Sequence, residues 1–335
     1  MKASLTAKII IIICFLCLAA GIFTVDRDKP YMENNSPKKS KLISNTNKIA
    51  VIELDGAIAS SADSNFFGKE TNAVNMLKSL KAAKEDKEIQ GVILKINSPG
   101  GTVAMSQNIY NQIIKTRKDK PVISVLDDVA ASGGYYIASA SDRIIAQEGT
   151  LTGSIGVIFS FMDYHSLLAN KLDISPVVIK SGKFKDIGSG TRKMTDEEKE
   201  LMQNIIDDSY GQFLDAIREG RIERQDSYSA YRTYLTEDTL KSYADGRVFT
   251  GRQAKQLGFV DETGDMDSAK SMIESMVQEK IGNKLQVKLV DYNKRSSFSE
   301  YFSGLTEYST PKSIKLTDII PMSMILNRKP LYLWE

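Results

Sequence analysis

The sequence PVISVLDDVAASGGYY at residues 121–136 contains the features that decide the fold. It opens with an apolar run from Pro121 to Leu126, and Ser132 follows among residues with little or no side chain. A second apolar run, Gly91 to Ile96, also ends in a glycine turn, NSPGG at residues 97–101. Short apolar runs bounded by glycine turns are typical of buried strands, and the helical patterns that follow indicate strand-to-helix crossovers.

Strands and helices alternate outward from these two turns. Further strands are predicted at Ile49–Leu54, at Ile144 and Ile145, at Thr152–Val157, at Pro176–Ile179 and at Gly258–Asp261. Helices are predicted over residues 71–84, 103–116 and 252–257, and from Thr195, where Glu198 completes a capping box. Strands separated by helices predict the α/β class with a mostly parallel sheet, in which ligands gather where strands end and helices begin.

The composition of the chain excludes some classes of function. Its 335 residues allow one large domain, and 44 Lys plus Arg nearly balance 42 Asp plus Glu. Because such a balance creates no strong field, we expect no nucleic-acid partner. The two cysteines, Cys14 and Cys17, lie in an apolar stretch and are interpreted as small hydrophobic residues. A main domain without thiols suits an extracytoplasmic compartment.

The N-terminus is interpreted as a membrane address. Residues 9–25 carry no charge, and lysines precede them, so they predict a transmembrane signal anchor with residues 1–8 in the cytoplasm and the rest of the chain outside. A cleaved signal peptide is the alternative, because residues 19–21 are small. Residues 26–47 are polar and predict a linker. We therefore expect a single-pass protein of the cell membrane with an extracytoplasmic main domain.

Ser132 is a candidate nucleophile. Its small neighbours let a peptide backbone approach the hydroxyl, and the first amides of the following helix, from Gly133 onward, can stabilise an oxyanion. The alternative is a helix N-cap with glycines that serve packing. The turn at residues 97–101 lies one crossover earlier, so we expect it beside the turn that contains Ser132. Gly100 or Gly101 would then be the second amide donor.

A serine nucleophile needs a base, and histidine is scarce in this chain. The single histidine, His165, lies among apolar residues and is interpreted as a core or surface residue. A lysine amine is the alternative when burial lowers its pKa. Lys180, Lys183 and Lys185 follow the predicted strand Pro176–Ile179. The residues alone do not choose among these lysines, nor do they exclude three surface charges.

Five sequence blocks in order resemble the signal peptide peptidase A family of serine proteases, in its short Gram-positive-type form. The resemblance covers about residues 48–265 and rests on residues 97–101, 131–136 and 151–157, on Ser181-Gly182 with residues 185–189, and on residues 246–248 with residues 250–261. It implies a crotonase-like or Clp-like α/β fold and a Ser-Lys dyad. It implies Ser132 as the nucleophile, Lys185 as the general base, Ser154 as the hydroxyl that orients the lysine and Gly100 as an oxyanion donor. Gly101 and Gly133 complete the expected oxyanion hole, and neither metal nor cofactor is expected.

The resemblance also implies partners. Family members form rings in which neighbouring subunits complete the dyad, so we expect a homo-oligomeric ring. Expected substrates are remnant signal peptides and other apolar peptides with small side chains near the cut. Residues 48–295 would form the protease domain. Residues 296–335 form a tail ending in PLYLWE, and we hypothesise that it docks in a peptide groove as a brake, against the simpler alternative of ordinary packing or disorder.

Two other functions compete with a protease. A crotonase-like acyl-CoA enzyme shares the expected fold but works with a carboxylate, for which Glu148 is the candidate. A membrane-tethered ring scaffold would hold peptides without cutting them.

Overall fold

A computed structural model describes residues 47–60, 72–223, 228, 234–282, 287–293 and 331–333. These residues belong to one compact unit, residues 46–335. The predicted anchor at residues 9–25, the first 46 residues as a whole and most of the tail lie outside the described residues. Within the described ranges, no helix combines the length and the apolar character that crossing a bilayer requires.

Ten strands and eight α-helices alternate along the described chain. The strands are β1 (Asn47–Asp55), β2 (Ile89–Ser98), β3 (Gly100–Thr102), β4 (Val122–Ala131), β5 (Arg143–Ala146), β6 (Leu151–Gly153), β7 (Val248–Thr250), β8 (Glu262–Thr263), β9 (Val287–Asp291) and β10 (Leu331–Leu333). The α-helices are α1 (Asn72–Glu85), α2 (Val103–Arg117), α3 (Gly133–Ser139), α4 (His165–Lys171), α5 (Asp196–Ile217), α6 (Glu237–Tyr243), α7 (Gly251–Leu257) and α8 (Met266–Ile281). A π-helical turn, Arg218–Ile222, continues α5.

The main sheet has eight strands and is mostly parallel, as predicted. Its order is β7-β6-β4-β2-β1-β9, with β5 against β4 and β8 against β5. Every pairing in this sheet is parallel except that of β6 with β7. Strands β3 and β10 form a separate antiparallel pair. The chain therefore has the mixed α/β architecture that the alternating pattern predicts.

Helices cover both faces of the sheet. In β2, Val92 and Leu94 point into one apolar cluster, which includes residues of α1, α2 and α3. Ile93 points into the opposite cluster, to which α8 contributes Met272 and Ile273. Each fully buried aliphatic side chain of this kind contributes about 1.5–3 kcal/mol. Burial of both faces explains why the central strands are continuous apolar runs rather than alternating ones.

The predicted strand Pro176–Ile179 is wrong. These residues form no strand, and Val177 and Ile179 are 87% and 97% exposed. They lie in residues 155–194, hereafter the arm, which leave the sheet after β6 and contain the short helix α4. An apolar run forms a strand only when it can pair with a neighbouring strand. No described strand pairs with residues 176–179.

Two smaller expectations also need correction. The predicted strand Thr152–Val157 ends at Gly153, because Ser154 has a φ of 49° that an extended strand does not allow. Gly258–Asp261 is not a strand: Gly258 ends α7 in a left-handed conformation with φ 87°, and β8 begins at Glu262. The capping box of Thr195 and Glu198 is confirmed.

Candidate active site

Ser132 occupies a strained turn between β4 and α3. Its φ of 53° and ψ of −116° are rare for a residue with a side chain. The Ser132 N–H donates to the Gly153 carbonyl at 2.8 Å, and its own carbonyl accepts from the Tyr136 N–H at 2.8 Å as α3 begins. Such strand-to-helix turns present a nucleophile at the end of a sheet.

The hydroxyl of Ser132 has no structural partner. Ser132 is fully buried, and its Oγ hydrogen-bonds to no other described residue. It caps no amide of α3, so the N-cap interpretation of this serine is wrong. A buried polar atom left without a partner costs about 1–3 kcal/mol, and such atoms are rare unless they have a chemical role.

The two glycine turns lie side by side, as the crossover order predicts. A Cβ placed on Gly133 would lie 2.8 Å from Ser106 Oγ and 3.2 Å from the Gly101 nitrogen. A Cβ placed on Gly134 would lie 2.9 Å from the Ser98 carbonyl oxygen. Glycine is therefore required where α3 begins, because the turn at residues 97–101 passes directly against it.

The expected oxyanion donors differ in their surroundings. The Gly100 N–H donates to Ser98 Oγ at 3.1 Å, so it is engaged locally. Gly101 is the residue of that turn whose nitrogen lies closest to Gly133. Ser98 was not singled out from the sequence, although it lies within the NSPGG turn and is fully buried.

Strand register brings Ser154 next to Ser132. Strands β4 and β6 pair in parallel with Ala131 opposite Gly153. Ser132 directly follows Ala131, and Ser154 directly follows Gly153. Ser154 is nearly buried, and its N–H donates to the Arg247 carbonyl at 2.8 Å. Three non-glycine residues in the described ranges have positive φ, and two of them are these serines. Strained backbone of this kind concentrates at functional sites.

Lys185 does not reach Ser132 within one chain. It lies in a series of tight turns in the arm, where its N–H donates to the Gly182 carbonyl at 3.1 Å, and its side chain is exposed. No described residue, Lys185 included, hydrogen-bonds to Ser132 Oγ. A single protomer therefore provides neither the contact nor the dry surroundings that a lysine base requires.

The structure distinguishes three lysines that the sequence leaves equivalent. Lys180 Nζ donates to Asp186 Oδ1 at 2.5 Å and to the Lys183 carbonyl at 2.9 Å. Lys183 Nζ forms an ion pair with Glu197. The Lys185 amine makes no hydrogen bond or ion pair with any residue in the described ranges. Of the three lysines, it is therefore the one that remains available to a partner outside this protomer.

His165 is a surface residue of the arm, one of the two alternatives that the sequence allows. Its Nδ1 lies 2.7 Å from Asp163 Oδ1, and its Nε2 lies 3.2 Å from Ser166 Oγ. Hydrogen bonds from His165 lower the pKa of the Asp163 carboxyl. Ser166 is exposed, and Asp163 also accepts the His165 N–H, so the three residues form a local turn rather than an enclosed site.

Glu148, the candidate carboxylate of an acyl-CoA enzyme, is engaged elsewhere. Its side chain is exposed and forms an ion pair with Arg252, which lowers the pKa of the Glu148 carboxyl. This placement gives no support to acyl-CoA chemistry at the serine site.

A short segment of the C-terminal tail lies along the glycine turn. Strand β10 pairs antiparallel with β3, with Tyr332 opposite Gly101 and Leu333 opposite Gly100. An extended peptide binds to an exposed sheet edge in the same way. The edge next to Ser132 is therefore able to hold an extended chain.

The fold and this turn define an α/β protein with a buried, unpartnered serine at the end of a mostly parallel sheet, beside an edge that pairs with an extended strand. A protein-family model for Clp protease matches residues 64–147, and the model for peptidase family S49 matches residues 114–280. The chain is 41% identical to a putative protease from Synechocystis over 67% of its own length and 72% of that protein. It is 37% identical to a putative signal peptide peptidase SppA from Enterococcus faecium over 70% of its own length, and it spans 64% of that protein, less than two thirds.

Among solved structures, the chain is similar to a lysine-to-alanine variant of the membrane-bound stomatin-specific protease 1510-N in complex with a substrate peptide. The identity is 17% and the TM-score is 0.44, over 78% of this chain and 99% of that one. The chain belongs to peptidase family S49, the family of serine peptidases that includes signal peptide peptidase A.

Proposed function

We propose that the protein is a membrane-anchored serine endopeptidase that cleaves remnant signal peptides and other apolar peptides with a Ser-Lys dyad. The observation that carries the proposal is the Ser132 hydroxyl, which is buried, unpartnered and set in a strained turn beside glycine amides. Such a hydroxyl has no structural use, and its position suits attack on a peptide carbonyl.

In the proposed mechanism, Ser132 Oγ attacks the scissile carbonyl carbon while the Lys185 amine removes its proton. The oxyanion of the tetrahedral intermediate accepts hydrogen bonds from backbone amides of the glycine turns, namely Gly133 and either Gly101 or Gly100. The protonated Lys185 then donates to the leaving nitrogen as the C–N bond breaks. Water, deprotonated by Lys185, then attacks the ester carbonyl carbon. As the bond to Ser132 Oγ breaks, the protonated Lys185 returns its proton to Oγ and the acid product leaves. Ser154, next to Ser132 by strand register, holds the lysine amine in place.

We propose that the dyad forms between neighbouring protomers of a homo-oligomeric ring. Lys185 is exposed on the arm, whereas no described residue of the same chain hydrogen-bonds to Ser132 Oγ. The arm also exposes large apolar side chains, among them Ile158, Val177 and Ile179. Contiguous exposed apolar surface marks an interaction site. Packing of the arm against a second copy would remove water from around the Lys185 amine, as general-base catalysis by a lysine requires.

Substrate peptides are proposed to bind as an added strand on β3, in the position that β10 takes. The tail segment is accordingly proposed to act as a brake that competes with substrate.

Anchoring is proposed from the sequence of residues 9–25, an uncharged run preceded by lysines. The catalytic unit then works at the outer face of the cytoplasmic membrane, where remnant signal peptides remain after export.

The proposal is tested with full-length protein in detergent, assayed on an apolar peptide ester and on a signal-peptide mimic. We expect Ser132→Ala and Lys185→Ala each to lower kcat by at least about 1,000-fold, because nucleophile and base act as one unit. Lys183→Ala is the matched control, since it removes the same charge two residues away, and it should retain activity. Circular dichroism checks the folding of each variant.

Each alternative outcome has a defined meaning. Full activity in Ser132→Ala would reject the assignment of the nucleophile. Activity that survives in Lys185→Ala and disappears in Lys183→Ala would move the base to Lys183. Peptide binding without cleavage by the wild-type ring would favour the scaffold.

A further inference from the structure

Apolar packing is sparse in the part of the arm that precedes Lys185. Most of residues 158–183 are exposed, and α4 has no buried residue. A base misplaced by about 1 Å typically costs about 100-fold in rate. Phe161 lies against Gly188 in the turn that carries Lys185. A polar cluster of Asp186, Arg192 and Glu198 lies directly beside this turn and supplies further contacts.

Arg192 connects two carboxylates through paired hydrogen bonds. Its Nε donates to Asp186 Oδ2 at 2.9 Å, and its Nη2 donates to Asp186 Oδ1 at 2.7 Å. Towards Glu198, Nη1 donates to Oε2 at 2.8 Å and Nη2 donates to Oε1 at 2.5 Å. A planar guanidinium can donate paired hydrogen bonds to two carboxylates in this way. A lysine ammonium is a single point charge and does not match this geometry.

This cluster differs from the ordinary ion pairs of the arm in its burial. The side chains of Asp186 and Glu198 are 13% and 3% exposed, whereas those of the nearby pair Lys183 and Glu197 are 65% and 56% exposed. Hydrogen bonds from Arg192 lower the pKa of the Glu198 carboxyl to about 2 and hold the pKa of Asp186 well below its usual range. Both carboxylates are therefore ionised near neutral pH and can hold Arg192 between them.

Glu198 connects the cluster to the folded core. Its Oε2 accepts the Thr195 N–H at 2.9 Å, and its own N–H donates to Thr195 Oγ1 at 3.2 Å, which completes the capping box of α5. Helix α5 is anchored in the core through Phe213 and Ile217. A continuous path therefore leads from the core through Glu198 and Arg192 to Asp186, the neighbour of Lys185.

We propose that Arg192 is a positioning residue for the base: it ties the turn that carries Lys185 to the N-terminus of α5, and so sets where the amine lies. This inference rests on the proposed role of Lys185. Arg192 does not itself touch the substrate, and its effect on the rate passes through Lys185.

The test uses full-length protein in detergent, with Arg192→Gln, Arg192→Lys, Glu198→Gln and Glu197→Gln. Glutamine at position 198 can still complete the capping box, so Glu198→Gln removes only the charge that faces Arg192. We expect Arg192→Gln, Arg192→Lys and Glu198→Gln to lower kcat by about 10-fold to 100-fold with KM changed by less than about threefold. Glu197→Gln, with the same charge change one residue away, should stay within about twofold of wild type.

A double-mutant cycle separates positioning from general damage to the fold. Arg192→Gln is combined with Lys185→Ala, and turnover is measured with an activated ester, which needs less assistance from the base. If Arg192 acts through Lys185, its substitution has little further effect once Lys185 is absent. Equal losses in both backgrounds, or wild-type kcat in Arg192→Gln and Glu198→Gln, would overturn the inference. Wild-type activity in Lys185→Ala would instead reject the proposed base.

Discussion

Ser132 and Ser154 hold rarely used backbone conformations at the ends of two paired strands. Each costs about 1–3 kcal/mol, which persists only when the surrounding structure fixes it. Here the fixing groups are the Gly153 carbonyl for Ser132 and the Arg247 carbonyl for Ser154. The sequence could indicate Ser132 because glycines surround it. It could indicate Ser154 only through resemblance, because strand register is not visible in a short motif.

The contact between the glycine turns gives a prediction for a single methyl group. Gly133→Ala would place its Cβ 2.8 Å from Ser106 Oγ and 3.2 Å from the Gly101 nitrogen. We expect a loss of about 1–3 kcal/mol in the free energy of unfolding, because the backbone of the neighbouring turn must move. Catalytic rate should fall as well, since the displaced amides belong to the proposed oxyanion hole. Urea unfolding and kcat measure the two effects.

Gly211 in α5 provides the matched control for this substitution. A Cβ on Gly211 meets no atom within 4 Å. Gly211→Ala should therefore be neutral or stabilise by about 0.5–1 kcal/mol, as alanine does in a helix interior. If Gly133→Ala matched Gly211→Ala in stability and rate, the turns would not be as tightly packed as the structure indicates.

At the scale of elements, sequence patterns predict the core well and the arm poorly. Strands β1 and β2 and helix α5 are predicted within a few residues, because apolar runs and a capping box mark them, whereas β4 extends five residues beyond the predicted end at Leu126. The arm contains the wrong strand Pro176–Ile179, because an apolar β-branched run does not reveal whether a sheet neighbour exists. The Arg192 cluster was missed, because its members lie six residues apart and form no periodic pattern. Glu198 was identified only as part of the helix cap.

The junction between the arm and α5 should be sensitive to acid. Because the pKa of Glu198 is lowered in the folded protein to about 2, its stabilising effect is complete above its unfolded pKa of about 4.3 and is lost as the pH falls towards 2. We expect the stability advantage of wild type over Glu198→Gln, measured as the urea midpoint, to be constant above about pH 5 and to shrink below it.

Glu197→Gln serves as the reference for this titration. Glu197 pairs with an exposed lysine, so Glu197→Gln should change the urea midpoint at neutral pH much less than Glu198→Gln does. A gap between wild type and Glu198→Gln that stayed constant down to pH 2, or widened, would contradict the assigned direction of the Glu198 pKa.

For the whole molecule, the pairing of β10 with β3 predicts self-competition. Deletion of residues 330–335 removes this strand. We expect KM for a peptide substrate to fall several-fold while kcat stays unchanged, because the deletion frees the binding edge without altering the dyad. A synthetic peptide of residues 330–335 should inhibit the shortened protein, whereas a version with proline at position 332 should not, because proline lacks the N–H for pairing. An unchanged KM together with no inhibition by the peptide would reject the brake.

The separation of Ser132 from Lys185 within one chain has a consequence for the life of the protein in the cell. If neighbouring protomers complete the dyad as proposed, a solitary copy carries both groups but cannot bring them together, so it is inactive. In the proposed assembly, the rate of hydrolysis would then depend steeply on the local concentration of the protein.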